Sequence, residues 1–342
     1  MHTLALLAAH LALAQPTTPP PAPLDTTAAI TAALDDPART LTKDELAAAA
    51  LVARSASDAA PTAAALVTLR ADLARVAASR DEARDLYARA VALDPANALL
   101  RERLGTAIFS SMSGGASLAM LGKAEAAMTE YKRAVELDPA RIEARIGMAN
   151  FYVMAPAIAG GSYKKARQQA ADLLALNTPA ATNASRLVEA LIAQHREDWA
   201  DMTAAYEAAL AAPPDPDNPA ASATTLRAYA LALLRVKEDP KAALPVTLRL
   251  RAAAPPADPI PDALHAEALA GLGRHAEAAP IFESVLARLP EARLSRYGAA
   301  ASHAALGDKT QAIAHYEEFL RRFPTDNKAD GAKSALKKLR KK

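Results

Sequence analysis

The chain has 342 residues and a formal net charge of +2, so near balance that no global field draws in nucleic acid. It has no cysteine, which excludes disulfides, thiolate metal sites, a cysteine nucleophile and a lipidated N-terminal cysteine. Alanine dominates and aromatics are only 4%; strong helix formers with scattered β-branched residues predict helix throughout and no strand.

In chain order, Leu4 to Ala14 form an apolar run of signal-core length, too short to cross a bilayer, which needs about 20 residues. Ala12-Leu13-Ala14 then sets small residues around a larger one, with Gln15 as the expected mature start. Only His2 precedes the core, where a signal usually carries Lys or Arg. The expectation is a signal peptide over 1–14 and a periplasmic or secreted protein. Pro16 to Pro23 predict an extended proline-rich spacer over 15–23. Leading or capping helices are expected over 24–61.

From there a spacing recurs five times. Ala83, Tyr87, Ala90 and Pro95 share it with Ala127, Tyr131, Ala134 and Pro139. Met202, Tyr206, Ala209 and Pro214 repeat it, as do Ala278, Phe282, Val285 and Pro290, and Ala312, Tyr316, Phe319 and Pro324. Steps of four and three keep three residues on one helical face. The small residue admits a neighbouring helix, the aromatic fills the space between helix pairs, and the proline ends the helix. Gly273 and Gly307, five residues before the small residue, let the chain turn between antiparallel helices.

This pattern resembles the tetratricopeptide repeat, whose period of 34 residues separates Pro290 from Pro324. Leu104-Gly105 and Ile108 match the first helix of the family; Gly161, Tyr163 and Ala166 match its turn and second helix, and Trp199 its turn aromatic. The fifth unit, near Ala221 to Pro255, is degenerate and carries Pro240 and Pro245. The resemblance implies an all-α fold: a right-handed α-solenoid of antiparallel helix pairs over 62–325, with six or seven units. A basic capping helix is expected over 326–342. Its lysines and arginines either complement the helix dipole or offer a peripheral contact to an anionic lipid headgroup or acidic partner.

Two units exceed the period. Pro95 to Pro139 is 44 residues, and the excess is expected between helices around Ser110 to Leu118, with Gly114-Gly115. The next unit has a similar excess from Ala155 to Gly161, ending in Gly160-Gly161. Insertions at matching places emerge on one side of a solenoid, as a contact site or as tolerated loops. The second also resembles bacterial envelope proteins of this repeat type.

No catalytic constellation stands out. Gly122-Lys123 lacks the upstream glycine and following Ser or Thr of a phosphate loop, and reads as the turn between helices. No two of the seven histidines lie three or four apart, so no helical metal pair is expected, nor any cofactor. The resemblance implies a non-catalytic scaffold that holds a protein or peptide in its concave groove. Phe109, Asn150, Val153 and Gln194 are the groove candidates, with Glu102, Thr106, Ile146 and Glu267 beside them. Gly114, Gly115, Gly160 and Gly161 are the loop candidates. The family's basic clamp for C-terminal carboxylates is not legible. The second reading is a small-ligand or lipid-binding accessory protein of an envelope transport system, with the glycine loops over a pocket.

Overall fold

The computed structural model describes residues 24–35, 41–112, 118–212 and 220–341. The expected signal peptide, the spacer, Gly114, Gly115 and the proline stretch 213–219 lie outside the described residues. Among the described residues there are seventeen α-helices and no strand. Two come first, α1 (Thr27–Asp35) and α2 (Lys43–Ala59). Antiparallel pairs follow: α3 (Ala64–Val76) with α4 (Arg80–Leu93), α5 (Ala98–Ser110) with α6 (Leu118–Leu137), and α7 (Ile142–Met154) with α8 (Tyr163–Leu174). Next are α9 (Pro179–His195) with α10 (Trp199–Leu210), and α11 (Ala221–Arg235) with α12 (Pro240–Ala253). Then come α13 (Ile260–Gly271) with α14 (His275–Arg288), α15 (Arg293–Ala305) with α16 (Lys309–Arg322), and finally α17 (Ala329–Lys341). Each helix packs on its sequence neighbours, so the chain is a helical repeat solenoid of seven pairs.

The recurring aromatic explains the stacking. Tyr87, Tyr131, Tyr206, Phe282 and Tyr316 are all buried. The residue sixteen positions earlier, on the first helix of the same pair, is Ala71, Ala190, Ala266 or Ala300, each fully buried. In the enlarged second unit Gly105 takes that place. The ring also reaches the first helix of the next pair. A Cβ on Gly147 would sit 2.3 Å from the Tyr131 ring, and one on Gly298 would sit 2.5 Å from the Phe282 ring. The ring therefore fills a socket made by two helices whose backbones approach closely.

The turns repeat as well. Ala78, Glu197, Glu238, Gly273 and Gly307 all have positive φ, and each precedes the first packed residue of its second helix by five. Four of these turns close with the same bond, in which the amide after the left-handed residue donates to the carbonyl five positions back, as from Asp308 to His303 at 2.9 Å. Beyond each second helix, proline turns recur, with Asn97 N–H on Asp94 C=O at 3.3 Å and Arg141 N–H on Asp138 C=O at 3.2 Å. In the fifth unit Pro240 opens α12, where its missing N–H costs nothing, and Pro245 is tolerated inside it.

One expectation is corrected. Gly122-Lys123 is not a turn but lies inside α6. That helix has 20 residues against 14 in α4, so six of the ten extra residues of the second unit are helical. The alanine- and leucine-rich segment before Ala127 extends the helix instead of looping, as its propensity favours. In the third unit the excess is a true loop, with a single 3₁₀ turn at Ala157–Ala159. At the C-terminal end, α17 buries Ala332 and Leu336 in a cluster with Tyr316 and Phe319 and turns its basic side outward.

The two helical glycines Gly122 and Gly147 should respond oppositely to alanine. Nothing lies within 4 Å of a Cβ at Gly122, so Gly122→Ala should stabilise by up to about 1 kcal/mol through helix propensity. Gly147→Ala should destabilise by about 1–3 kcal/mol, because the Tyr131 ring has nowhere to go. Urea midpoints of the two variants check the signs.

Candidate functional site

The two enlarged units meet at an open apolar pocket of about 750 Å³. The end of α5 contributes Phe109, the segment just after it Met112, and the added turns of α6 contribute Met120, Leu121 and Ala124. The end of α7 gives Phe151 and Met154, and the loop gives Pro156, Ile158 and Ala159. Ile158 is 99% exposed and Met154 58%, and Leu121 is also exposed. Glu125 is the one charged residue of the lining.

The loop is held open by its own backbone. Pro156 C=O accepts from the Ala159 and Gly161 amides at 2.8 and 3.0 Å, and Tyr152 C=O accepts from Ser162 N–H at 2.7 Å. Gly160 has φ +94°, and a Cβ on Gly161 would lie 1.7 Å from the Ala155 carbonyl oxygen. The glycine pair thus shapes the loop, and the side chains offered to solvent are those of Met154 and Ile158. Ser162 caps α8 by accepting from Lys165 N–H at 3.3 Å. Lys165 stands 5.5 Å from the centre of the Tyr152 ring, whose hydroxyl pKa burial raises. Lys123 reaches the Ser111 carbonyl at 3.3 Å and so serves the C-terminal end of α5, not a phosphate.

The concave groove holds a second, smaller pocket of about 410 Å³, with Ile142, Ile146, Asn183 and Leu187 among its lining. Glu143 lines it too; partial desolvation, then the Glu102 charge, push its pKa above the usual carboxylate range. Other expected groove residues have structural duties. Glu102 is buried and accepts from Arg141 at 2.8 Å, and Glu267 pairs with Arg235 at 3.2 Å, each pair joining neighbouring units. Thr106 Oγ1 accepts from the Tyr131 hydroxyl at 3.2 Å.

Of the expected site residues, Phe109 lines the apolar pocket and Gly160 and Gly161 build the loop beside it. Asn150 and Gln194 are half-buried on α7 and α9, and belong to neither pocket. Val153 is corrected: it is 2% exposed and packs among Ala166, Leu173, Val188 and Ile192. Helices α8 and α9 close over that end of α7, so the side chain offers a partner nothing. The sequence reading missed Met112, Met120, Met154 and Ile158. Four large apolar residues clustered around two glycine-bearing insertions were the available signal.

Histidines among the described residues also find partners. Tyr163 bonds His195 at 2.8 Å, and Thr247 bonds the buried His265 at 3.0 Å. Burial, then the Arg251 charge, lower the His265 pKa. His303 and His315, twelve residues apart, stack with ring centres 5.7 Å apart and both face Glu283.

Two tetratricopeptide repeat family models match the chain, over residues 118–141 and 295–326. The chain carries tetratricopeptide repeats. Its fold is similar to that of a chain in the Cut9–Hcn1 hetero-tetramer of the APC/C, with 15% identity and a TM-score of 0.51. That match covers 86% of this chain and 52% of the other, so this repeat protein spans about half its length. A tetratricopeptide repeat protein from Parabacteroides merdae is 17% identical, with 87% and 93% of the two chains covered and a TM-score of 0.41. YrrB, described as having an unusual peptide-binding site, is 18% identical, with 72% and 97% covered and a TM-score of 0.33. A search of curated proteins finds no match.

Proposed function

We propose that this repeat protein is a non-catalytic scaffold that captures a protein or peptide partner, with the pocket between the two enlarged units as its main contact. The observation that carries this reading is the apolar character of that pocket together with the exposure of Met154 and Ile158. A contiguous apolar surface of this kind marks an interaction site more often than scattered exposed residues do. Methionines adapt to the shape of an incoming side chain, and a helix or extended segment presenting one large apolar residue fits an open cleft. The lining offers no array of polar donors and acceptors to fix a small polar ligand. A lipid chain is the second reading, since the volume also lies in the small-ligand range.

Export is part of the proposal. It rests on Leu4 to Ala14 and the small residues around Leu13. No helix among the described residues is long and apolar enough to cross a membrane. N-terminal sequencing of protein recovered from the periplasm or medium should begin at or next to Gln15. Recovery of a cytosolic form that starts at Met1 would contradict export.

Capture from an envelope extract, with crosslinking and mass spectrometry, tests the contact. Ile158→Asp and Met154→Glu should each weaken capture at least about tenfold, the factor given by a loss of ~1.4 kcal/mol. Both side chains are exposed, so helical circular dichroism should not change. Leu51→Asp, on the exposed side of α2, should leave capture intact. Capture unaffected by the two pocket variants would place the contact elsewhere.

A further inference from the structure

Away from the pocket, three side chains from three helices converge. Glu283 comes from α14, His303 from the end of α15 and His315 from α16. One ligand atom from each lies within 4.8 Å of the other two. The Glu283 Oε1 atom is 2.7 Å from His315 Nε2 and 3.0 Å from His303 Nε2. On its other side, His303 Nδ1 is 3.3 Å from Asp308 Oδ2. The histidines are largely buried, while Glu283 is 42% exposed and leaves a way in from solvent.

A count of donors exposes the problem in this cluster. A neutral imidazole carries one N–H, and an ionised carboxylate carries none. Three nitrogen–carboxylate contacts are present, and two neutral rings supply two N–H groups. One contact therefore sets a nitrogen lone pair against a carboxylate oxygen. An extra proton removes the conflict, and so does a cation seated among the three atoms. With a cation, the His303 Nδ1–H faces Asp308, which leaves both Nε2 lone pairs and the Glu283 oxygen, all within 4.8 Å of one another, free to bind one ion. A carboxylate behind a ligating imidazole is the usual device for fixing its tautomer and raising its basicity.

We propose that Glu283, His303 and His315 form a site for a divalent transition metal of the zinc class, with Asp308 as the positioning residue for His303. Two imidazoles with one carboxylate suit zinc and its late first-row neighbours, whereas calcium and magnesium take oxygen ligands. Three protein ligands leave a position for water. Metal–ligand bonds of about 2.0–2.2 Å put the ligand atoms roughly 3.3 Å apart; Glu283 Oε1 is 2.7 and 3.0 Å from the two Nε2 atoms, and its half-exposed side chain can withdraw the difference. Arg296 is the opposing charge, close enough to act on both His315 and Glu283. Glu283 and Asp308 set two carboxylates against this one guanidinium. The bound ion would tie the sixth helix pair to the seventh, since its ligands come from both.

The test uses the full chain without an affinity tag, stripped with chelator and titrated with Zn²⁺ by calorimetry and with Co²⁺ by visible absorption. The expected result is one saturable Zn²⁺ site tighter than about 10 μM, Co²⁺ d–d bands, and a rise in Tm with Zn²⁺ that Mg²⁺ and Ca²⁺ do not produce. His303→Gln and His315→Gln should each weaken that site at least tenfold, and Asp308→Asn less, while His195→Gln leaves it unchanged. Circular dichroism confirms that each variant is folded. No saturable Zn²⁺ uptake by the unmodified chain would overturn the proposal and leave a hydrogen-bonded imidazolium cluster. So would uptake that both histidine variants retain.

Discussion

One contact sets the architecture: an aromatic ring on the second helix of a pair, seated between close-packed residues of its own first helix and the next. Tyr131 shows it most clearly, with Gly105 on one side and Gly147 on the other. The ring fixes how closely two helices approach, and through the next helix it fixes where the following pair must lie. Buried alanines at Ala71, Ala190, Ala266 and Ala300 keep the same approach elsewhere. The core is accordingly a row of overlapping clusters and not one centre. Where the regular spacing fails, between α10 and α11, Tyr206 stacks on Tyr229 with ring centres 4.7 Å apart, and burial pushes the Tyr206 hydroxyl up to about 12.

That row of contacts leaves function to what is added to it. The sockets consume the repeated small and aromatic positions, and cross-unit ion pairs such as Arg103–Asp72 and Arg141–Glu102 consume much of the groove's charge. The second and third units escape the constraint because their extra residues extend beyond the sockets. One extension became helix and the other a glycine-shaped loop, and the two enclose apolar surface that the solenoid itself does not need. The candidate contact surface therefore sits at the inter-helix turn side of the array, with the groove pocket at Ile146 and Asn183 as a separate feature.

The fold was legible because a one-dimensional array writes its packing into local spacing. Tyr87, Tyr131 and their counterparts needed only steps of four and three to be found. The left-handed turns were half legible: Gly273 and Gly307 announced themselves, but Ala78, Glu197 and Glu238 adopt the same conformation without glycine. A non-glycine residue there bears a cost of order 1–2 kcal/mol that the flanking helices must offset. Position along a helix did not reveal exposure at Val153, because burial there depends on how α8 and α9 close over α7. The Glu283, His303 and His315 cluster was invisible to a search for histidines three or four apart, since its members come from three helices folded about the turns at Pro290 and Gly307.

Hydrogen exchange on Phe282→Ala tests the central packing claim most directly. Emptying that socket should cost about 3–5 kcal/mol locally. Amide protection should fall in α13 to α15, whose shared cluster contains Phe282, while α3 to α8 keep theirs. Equal loss of protection along the whole chain would contradict nearest-neighbour stacking, and unchanged protection in α13 to α15 would contradict the role of the ring.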